Sequence, residues 1–391
     1  MDKGVAAAVL EKIRDWMQAH SDEMKGTWQD LHEIAEVAWQ EAKTTAYLAY
    51  QLKKADIPCR TFTDMTGVIG EWGDPRLGPT IALRADIDAL LQSVDGVTRA
   101  NHSCGHDAHS TMALYAARCL RELVGTPQGR IRVIFQPAEE TGQGAKALID
   151  RGIVDDVDYM LGIHVRPEFE VGAGRIAPGI YHGSTMHLVG AVTGVQAHAS
   201  RPQLGINVID AIAAAVTAVN AVRIPADVSY SAKVTQVRAG ESSNIIPDLG
   251  TFTIDLRAQT NEAMDMLRRE VIRAVEEAVR RNGASVQLEV TGMLCAAVPN
   301  EKMEEAVSWA IRGLFGEETL CRPPVTPGGE DFHFYAVERP HIAATMVGLG
   351  CGLKPGLHHP HMSFDLDYLA NGAAVMAATV LYLLGMGADS N

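Results

Sequence analysis

The sequence predicts an α/β protein in which a mainly parallel sheet is covered by helices and a smaller α+β domain is inserted. Short apolar runs at residues 80–83 and 131–135 are separated by a helical stretch at 110–123. This alternation of strand, helix and strand is typical of a parallel sheet with helices on both faces. Polar residues that follow such strands are expected at their carboxyl ends, where open α/β sheets usually bind ligands.

The pattern changes near Ser184, and this change predicts the insert. The segments then follow in the order strand, helix, strand, strand, helix, strand, which is typical of a small α+β sandwich. The first five of these six segments are residues 186–192, 208–222, 233–237, 250–257 and 261–282. We therefore predict a larger discontinuous domain of residues 1–183 and 295–391, with residues 184–294 as the inserted domain.

Composition and charge narrow the functional class. The chain has 391 residues, of which 47% are hydrophobic and 21% charged, so it can form two globular domains. The formal net charge is −14 and no run of Lys and Arg offsets it, so we do not expect a nucleic acid partner. Six scattered cysteines do not form a disulfide framework, and the apolar stretch at 5–10 is shorter than the apolar region of a secretory signal peptide and far shorter than a membrane span. We expect a cytoplasmic protein without a membrane partner.

The densest group of reactive side chains lies in residues 102–109, which read His-Ser-Cys-Gly-His-Asp-Ala-His. Three imidazoles, a thiol and a carboxylate within eight positions are most simply explained by a bound metal. We interpret Cys104 and His106 as ligands, because Gly105 between them lets the backbone approach whatever they bind.

Further candidate ligands follow other apolar runs. Glu139 and Glu140 come after the strand at 131–135, where one carboxylate can bind a metal while its neighbour reaches a water molecule. His164 ends a second run at 159–163, and more imidazole follows near the C-terminus. The candidate ligands are Cys104, His106, Glu140, His164 and one of His358, His359 and His361. Five ligands are too many for one tetrahedral zinc and about right for two metals that share a bridge.

The residues alone leave other interpretations open. Cys104 could be the nucleophile of a cysteine hydrolase, activated by His106 or His109. Asp86 and Asp88 could cap a helix. A binding protein without activity is conceivable, but both carboxylates and every candidate ligand are present. A zinc nucleobase deaminase is disfavoured because the chain has no Pro-Cys-x-x-Cys segment.

Blocks along nearly the whole chain resemble those of the di-metal aminoacylase and carboxypeptidase family, peptidase family M20. The resemblance is to the branch that contains hippurate hydrolases and indole-acetyl-amino-acid hydrolases. The shared blocks are Leu31-His32 with Glu36 and Glu41, residues 84–90, the Cys-Gly-His-Asp block, Glu139-Glu140, residues 162–164, 197–199, 244–248 and 329–332, and Leu357-His358.

The resemblance implies a metal-dependent amidohydrolase that cleaves N-acyl amino acids of the N-acetyl, N-benzoyl or aryl-acetyl type. A metallo-dipeptidase or carboxypeptidase of the same family is the alternative. Two divalent ions per subunit, zinc, manganese, cobalt or nickel, would lower the pKa of a water molecule. Their implied ligands are Cys104, His106, Glu140, His164 and His358, where the family's Leu-His pattern favours His358 over His359.

The resemblance also implies roles for residues outside the ligand set. Glu139 would take a proton from the water and return it to the leaving amine. His198 would donate to the developing oxyanion, and Asp86 would orient a ligand. Asn244 and Arg257 would hold the carboxylate of the substrate. The insert would be a lid and dimerisation domain, so we expect a homodimer formed through residues 184–294.

Overall fold

The computed structural model describes residues 3–386. Its α-helices are, in chain order, α1 (Lys3–Ala19), α2 (Ser21–Glu33), α3 (Ala42–Lys54), α4 (His106–Val124), α5 (Gly144–Asp150), α6 (Val208–Ala221), α7 (Asn261–Arg281), α8 (Glu301–Phe315), α9 (His333–Glu338) and α10 (Leu369–Leu381). Helices α6, α7 and α8 follow a residue whose side chain accepts a backbone N–H of the first turn, which satisfies a group that a helix start leaves unpaired. These residues are Asn207, Thr260 and Asn300.

The strands in the same numbering are β1 (Cys59–Thr61), β2 (Val68–Gly73), β3 (Thr80–Asp86), β4 (Leu90–Val94), β5 (Val97–Asn101), β6 (Arg130–Gln136), β7 (Tyr159–Pro167), β8 (Ile176–Ala177), β9 (Tyr181–His182), β10 (Ser184–Thr193), β11 (Ala197–His198), β12 (Tyr230–Ala239), β13 (Ile245–Ile246), β14 (Leu249–Ala258), β15 (Ser285–Leu294), β16 (Val325–Thr326) and β17 (Ala343–Leu353).

The described chain divides into two compact units. The first contains the residues up to Ile180, Val298–Pro324 and those from Asp331 onward, and the second contains Tyr181–Ala297 and Val325–Glu330. Strands β10 to β15 cover the insert predicted at 184–294. The second unit is slightly larger than that prediction because β16 pairs with β9, which brings Val325–Glu330 into it.

The first unit contains a sheet whose strand order, within residues 3–386, is β1-β2-β6-β3-β7-β17-β8. The central neighbours β6, β3, β7 and β17 are parallel, whereas β1, β2 and β8 pair antiparallel. The predicted α/β class is confirmed, and the antiparallel edges make the sheet mixed. Strands β3, β6 and β7 are almost wholly buried, which explains their continuous apolar sequence.

Helix α4 occupies the interior of the first unit. It packs against β3 and β7, and α1, α2 and α10 pack against it. The segment Leu366–Gly385, which contains α10, is long and apolar enough to cross a membrane, but 67% of its most apolar window is buried in the described chain. Such burial is the property of a core helix.

The second unit contains an antiparallel sheet in the order β12-β14-β10-β15. Strand β14 alternates buried and less buried residues, the pattern of a sheet with one covered face. Helices α6 and α7 pack against each other and against this sheet. Beyond the paired ends of β10 and β14, the short strands β11 and β13 form a separate ladder that pairs His198 with Ile245.

Candidate metal centre

The start of α4 places Cys104 and His106 at the carboxyl side of the parallel strands. Gly105 precedes the helix with φ 85°, a conformation that suits glycine. A Cβ at this position would lie 2.5 Å from Cγ2 of Val165 on β7. The glycine therefore permits the close approach of the helix start to β7, the strand that carries His164.

His164 turns one ring nitrogen toward the thiol of Cys104. Its Nδ1 donates to the carbonyl oxygen of Val165 at 2.7 Å, while Nε2 lies 3.6 Å from Sγ of Cys104. Burial and the nearby His109 ring lower the pKa of His164 well below its ordinary value. A neutral imidazole with Nε2 unprotonated is the form that binds metals.

His106 is oriented in a similar way by acidic neighbours. Its Nδ1 lies 3.3 Å from Oδ1 of Asp88 and 3.8 Å from Oδ1 of Asp86. Burial opposes protonation, but the charge of Asp86 and the Cys104 sulfur raise the pKa of His106 well above its ordinary value. Its Nε2 is buried and has no hydrogen-bond partner among residues 3–386, although it lies 3.8 Å from a carboxylate oxygen of both Glu139 and Glu140.

The two glutamates are held by a strained loop after β6. Ala138 has φ 54°, in the left-handed region that non-glycine residues rarely adopt. Its N–H donates to Oε1 of Glu41 at 2.9 Å. The N–H groups of Glu139 and Glu140 donate to the two oxygens of Asp88 at 3.1 and 3.0 Å. These bonds pull the backbone toward Asp88 and direct both side chains toward His106.

The C-terminal histidine nearest this cluster is His358. Its Nε2 lies 3.7 Å from Oε2 of Glu140. The residue has φ 63°, and its N–H donates to the carbonyl oxygen of Ser103 at 2.7 Å. The neighbouring His359 instead accepts the N–H of His361 at its Nδ1.

Two groups of potential ligands share Cys104. In each group one potential ligand atom of every residue lies within 4.8 Å of the others. The groups are Cys104, His106 and His164, and Cys104, Glu140 and His358. Each group would supply three donors for one ion, and the buried Nε2 of His106 needs a partner that the described protein does not supply. The residues therefore fit two divalent ions.

Asp86 and His109 form a second layer next to these ligands. Nδ1 of His109 donates to Asp86 at 2.8 Å, and its Nε2 accepts the N–H of Val165 at 3.0 Å. Both nitrogens of His109 are thus engaged. Neither Asp86 nor Asp88 begins a helix, so the capping interpretation is wrong: Asp86 ends β3 and Asp88 follows it.

Asp88 is a residue of this cluster to which the sequence interpretation gave no role beyond a possible helix cap. It contacts His106 more closely than Asp86 does, and it anchors the backbone of both glutamates. The available signal was its position two residues after Asp86, at the end of a buried strand. Its partners on α4 and after β6 lie far away in sequence.

The residues of the insert to which the resemblance gives a role, His198, Asn244 and Arg257, belong to the second unit. His198 accepts the N–H of Ser200 at Nδ1, 3.1 Å away, so the N–H of its ring is at Nε2. The N–H of Ala199 donates to the carbonyl oxygen of Asn244, which places these residues on one ladder. Arg257 lies near the other end of β14, where Nε and Nη2 donate to Asp255 at 2.9 and 3.0 Å.

Comparison with known proteins identifies the family. Residues 82–382 match peptidase family M20/M25/M40.

The chain belongs to this family.

Its relatives include hydrolases of N-acyl compounds and a solved di-metal structure. An N-acetylcysteine deacetylase of Bacillus subtilis is 30% identical over 373 residues, covering 91% of this chain and 95% of the relative. The IAA-amino acid hydrolase ILR1-like 2 of Arabidopsis thaliana is 30% identical and covers 90% and 83%. A dinuclear metal binding M20 peptidase of Bacillus subtilis superposes with a TM-score of 0.81 at 26% identity, covering 94% and 99%.

Membership of the M20 family confirms the expectation of a metal-dependent hydrolase that acts on amide bonds.

The alternative of a cysteine hydrolase with Cys104 as nucleophile fits this site poorly. Burial, reinforced by the Glu140 carboxylate, raises the pKa of the Cys104 thiol well above its ordinary value. A cysteine nucleophile needs a depressed pKa in a partly exposed, electropositive environment, whereas Cys104 is buried beside the carboxylates of Glu139 and Glu140. A thiolate ligand would instead obtain the compensating positive charge from the bound ions themselves.

Proposed function

We propose that this M20 enzyme hydrolyses the amide bond of N-acyl amino acids, with two divalent ions held by Cys104, His106, Glu140, His164 and His358. The observation that supports the proposal most strongly is the pair of ligand groups that share Cys104. The ligands would be one thiolate, three imidazoles and one carboxylate. This mixed donor set is compatible with zinc, manganese, cobalt or nickel.

Glu139 is the proposed proton carrier. Bound divalent ions would lower the pKa of a water molecule and polarise the amide carbonyl. The carboxylate of Glu139 is 3.8 Å from Nε2 of His106 and accepts the N–H of Asp331 at its other oxygen, 3.4 Å away. Held in this way, it takes the proton from the water and delivers it to the leaving amine nitrogen. Glu139 can carry this proton only if its carboxylate is not a metal ligand.

His198 is the proposed donor to the oxyanion. Because Ser200 occupies Nδ1, the ring presents an N–H at Nε2. His198 is exposed on β11, so this donor faces outward from its own unit. A donor aimed at the developing negative charge stabilises the transition state more than the ground state.

Asn244 and Arg257 are the proposed contacts of the substrate's carboxylate. From Leu249 to Arg257, β14 extends about 27 Å at about 3.4 Å per residue, and Asn244 precedes Leu249. A small substrate does not span the length of β14. We therefore propose that Arg257 and the pair His198 and Asn244 reach a given substrate from different protomers.

A homodimer formed through residues 184–294 would supply the second protomer. Strands β12 and β15 lie at the edges of the four-stranded sheet, and each is ten residues long. Exposed edges of that length favour pairing with another chain. Apolar side chains on them are exposed, among them Val237 at 51% and Val290 at 45%.

The cytoplasm is the proposed location of the protein, because cysteines along the chain are not paired in disulfides. Cys59, Cys104, Cys119, Cys321 and Cys351 are free thiols.

A substrate panel separates the acylase from the peptidase alternative. The metal-loaded enzyme would be offered N-acetyl, N-benzoyl and indole-acetyl derivatives of the same amino acids, together with dipeptides, and free amino acid would be measured. We expect the N-acyl derivatives to give the larger kcat/KM. Cleavage confined to dipeptides would replace the proposal with a dipeptidase.

A further inference from the structure

We propose that Arg84 is a positioning residue that aligns Glu139 for proton transfer, acting through Asp331. The proposal rests on the proposed function only for the role of Glu139. Arg84 does not belong to the ligand set and would not touch the substrate.

The guanidinium of Arg84 is buried and is bonded on each nitrogen. The side chain is 1% exposed. Nε donates to Oε1 of Gln136 at 2.8 Å, Nη1 to Oδ2 of Asp86 at 2.8 Å, and Nη2 to Oδ1 of Asp331 at 2.7 Å. Arginine suits this position because its planar fork reaches three acceptors at fixed angles, whereas a lysine ammonium is a single point charge.

Asp331 transmits this arrangement to Glu139. Its Oδ2 accepts the N–H of Ala145 at 2.9 Å and Nε2 of Gln136 at 2.8 Å. With the carboxylate fixed from both sides, the backbone of Asp331 is fixed as well. Its N–H donates to Oε1 of Glu139 at 3.4 Å, so the orientation of that carboxylate depends on the network behind it.

The charges of the network explain why it is rigid. One guanidinium lies between two carboxylates, Asp86 and Asp331, which are both 0% exposed. Without the cation, two buried negative charges would lack their main compensation, which is strongly unfavourable. Strands β3 and β6 bring the cluster together. Asp86 on β3 is in register with Gln136 on β6, and Arg84 lies two residues before Asp86 on β3. Tyr335 completes it by donating to Oε1 of Gln136 at 2.9 Å.

Arg84→Lys tests the proposal, and Arg132→Lys is the matched control. Arg132 is also buried in the same sheet, at 3% exposure, and also lies between two carboxylates, Glu71 and Asp156. Both variants are expected to lower the melting temperature. Arg84→Lys alone should lower kcat by about 10- to 100-fold, less than the full contribution of general acid–base catalysis because Glu139 is misaligned and not removed, with KM and bound metal unchanged.

Asp331→Asn is the second variant. It keeps the size of the side chain and leaves Arg84 unchanged, but it weakens the contact through which Arg84 acts on Glu139. It should show the same loss of kcat at constant KM. Hydrogen exchange of the Asp331 amide gives a readout that does not depend on activity: Arg84→Lys should accelerate it, and Arg132→Lys should not.

Three results would overturn the proposal: an unchanged kcat in Arg84→Lys, equal losses of kcat in Arg84→Lys and Arg132→Lys, or unchanged exchange at Asp331. Loss of metal from Arg84→Lys would assign Arg84 to the support of His106 through Asp86 instead. If the wild-type enzyme hydrolyses no N-acyl amino acid, the proposed function fails, and the exchange measurement still decides whether Arg84 controls Asp331.

Discussion

Oδ1 of Asp88 lies 3.3 Å from Nδ1 of His106, on the side of the ring opposite the nitrogen that faces the two glutamates. The same carboxylate accepts the backbone N–H groups of both glutamates. A single side chain thus sets the direction of an imidazole and the path of the loop that carries Glu140.

Asp88→Asn should therefore weaken metal binding. Replacing a carboxylate that orients a metal-binding histidine typically costs about 10- to 100-fold in affinity. Competition with a chromophoric chelator would measure this affinity. Asp95→Asn, at an exposed turn, is the control and should bind metal as the wild type does. Equal affinities of wild type and Asp88→Asn would show that Asp88 does not orient His106.

Cys104→Ser should bind metal weakly and regain activity at high metal concentration, because a hydroxyl is a poorer ligand than a thiolate. The measurement is hydrolysis as a function of added metal, with Cys119→Ser as the control at a buried cysteine away from the ligand groups. A covalent acyl group found on Cys104 by mass spectrometry would contradict the two-metal interpretation.

The candidate ligands could be proposed from the sequence because most of them lie in short, dense motifs. Cys104 and His106 share one helix start, and His164 ends an apolar run that became β7. The residues alone did not distinguish His358 from His359, and only the family's Leu-His pattern favoured His358. The position of His358 near Glu140 depends on its left-handed backbone and its bond to Ser103, which lies more than 250 positions earlier in the chain.

The residues that position the candidate ligands were also harder to predict, because their partners are distant in sequence. Asp88 and Arg84 act through partners that the parallel sheet brings together from distant segments, such as Gln136 and Asp331. The antiparallel edges of the large sheet were also not predicted, because an apolar run does not reveal the direction of its neighbour.

His333 should make the metal-free protein less stable in mild acid. Burial and the nearby Arg84 guanidinium lower its pKa to about 3, whereas an unfolded histidine titrates near about 6.5. Below pH 6.5 the unfolded chain binds the proton first, so the stability present above pH 6.5 is lost as the pH falls toward 3. At pH 5 the loss is about 2 kcal/mol.

Urea unfolding at pH 7.5 and pH 5 tests this prediction. His333→Gln should lose about 2 kcal/mol less than the wild type between these pH values. His341→Gln replaces an exposed histidine and should lose as much as the wild type. Identical losses in all three proteins would contradict the assignment to His333.

Subunit mixing tests the proposed sharing of the site. Glu139→Gln and His198→Ala should each be inactive alone. After subunit exchange, part of the activity should return, because one site of each heterodimer combines an intact Glu139 with an intact His198. Heterodimers that remain inactive after complete exchange would place His198 in its own subunit or outside the reaction.

The division of labour between Glu139 and Glu140 is the most direct test of the central claim. Each would be changed to glutamine, and bound metal and hydrolysis of an N-acetyl amino acid would be measured on the same samples. We predict that Glu139→Gln keeps two ions per chain and loses turnover, because the amide cannot accept a proton, and that Glu140→Gln loses metal. The opposite partition, or turnover that survives Glu139→Gln, would contradict the account.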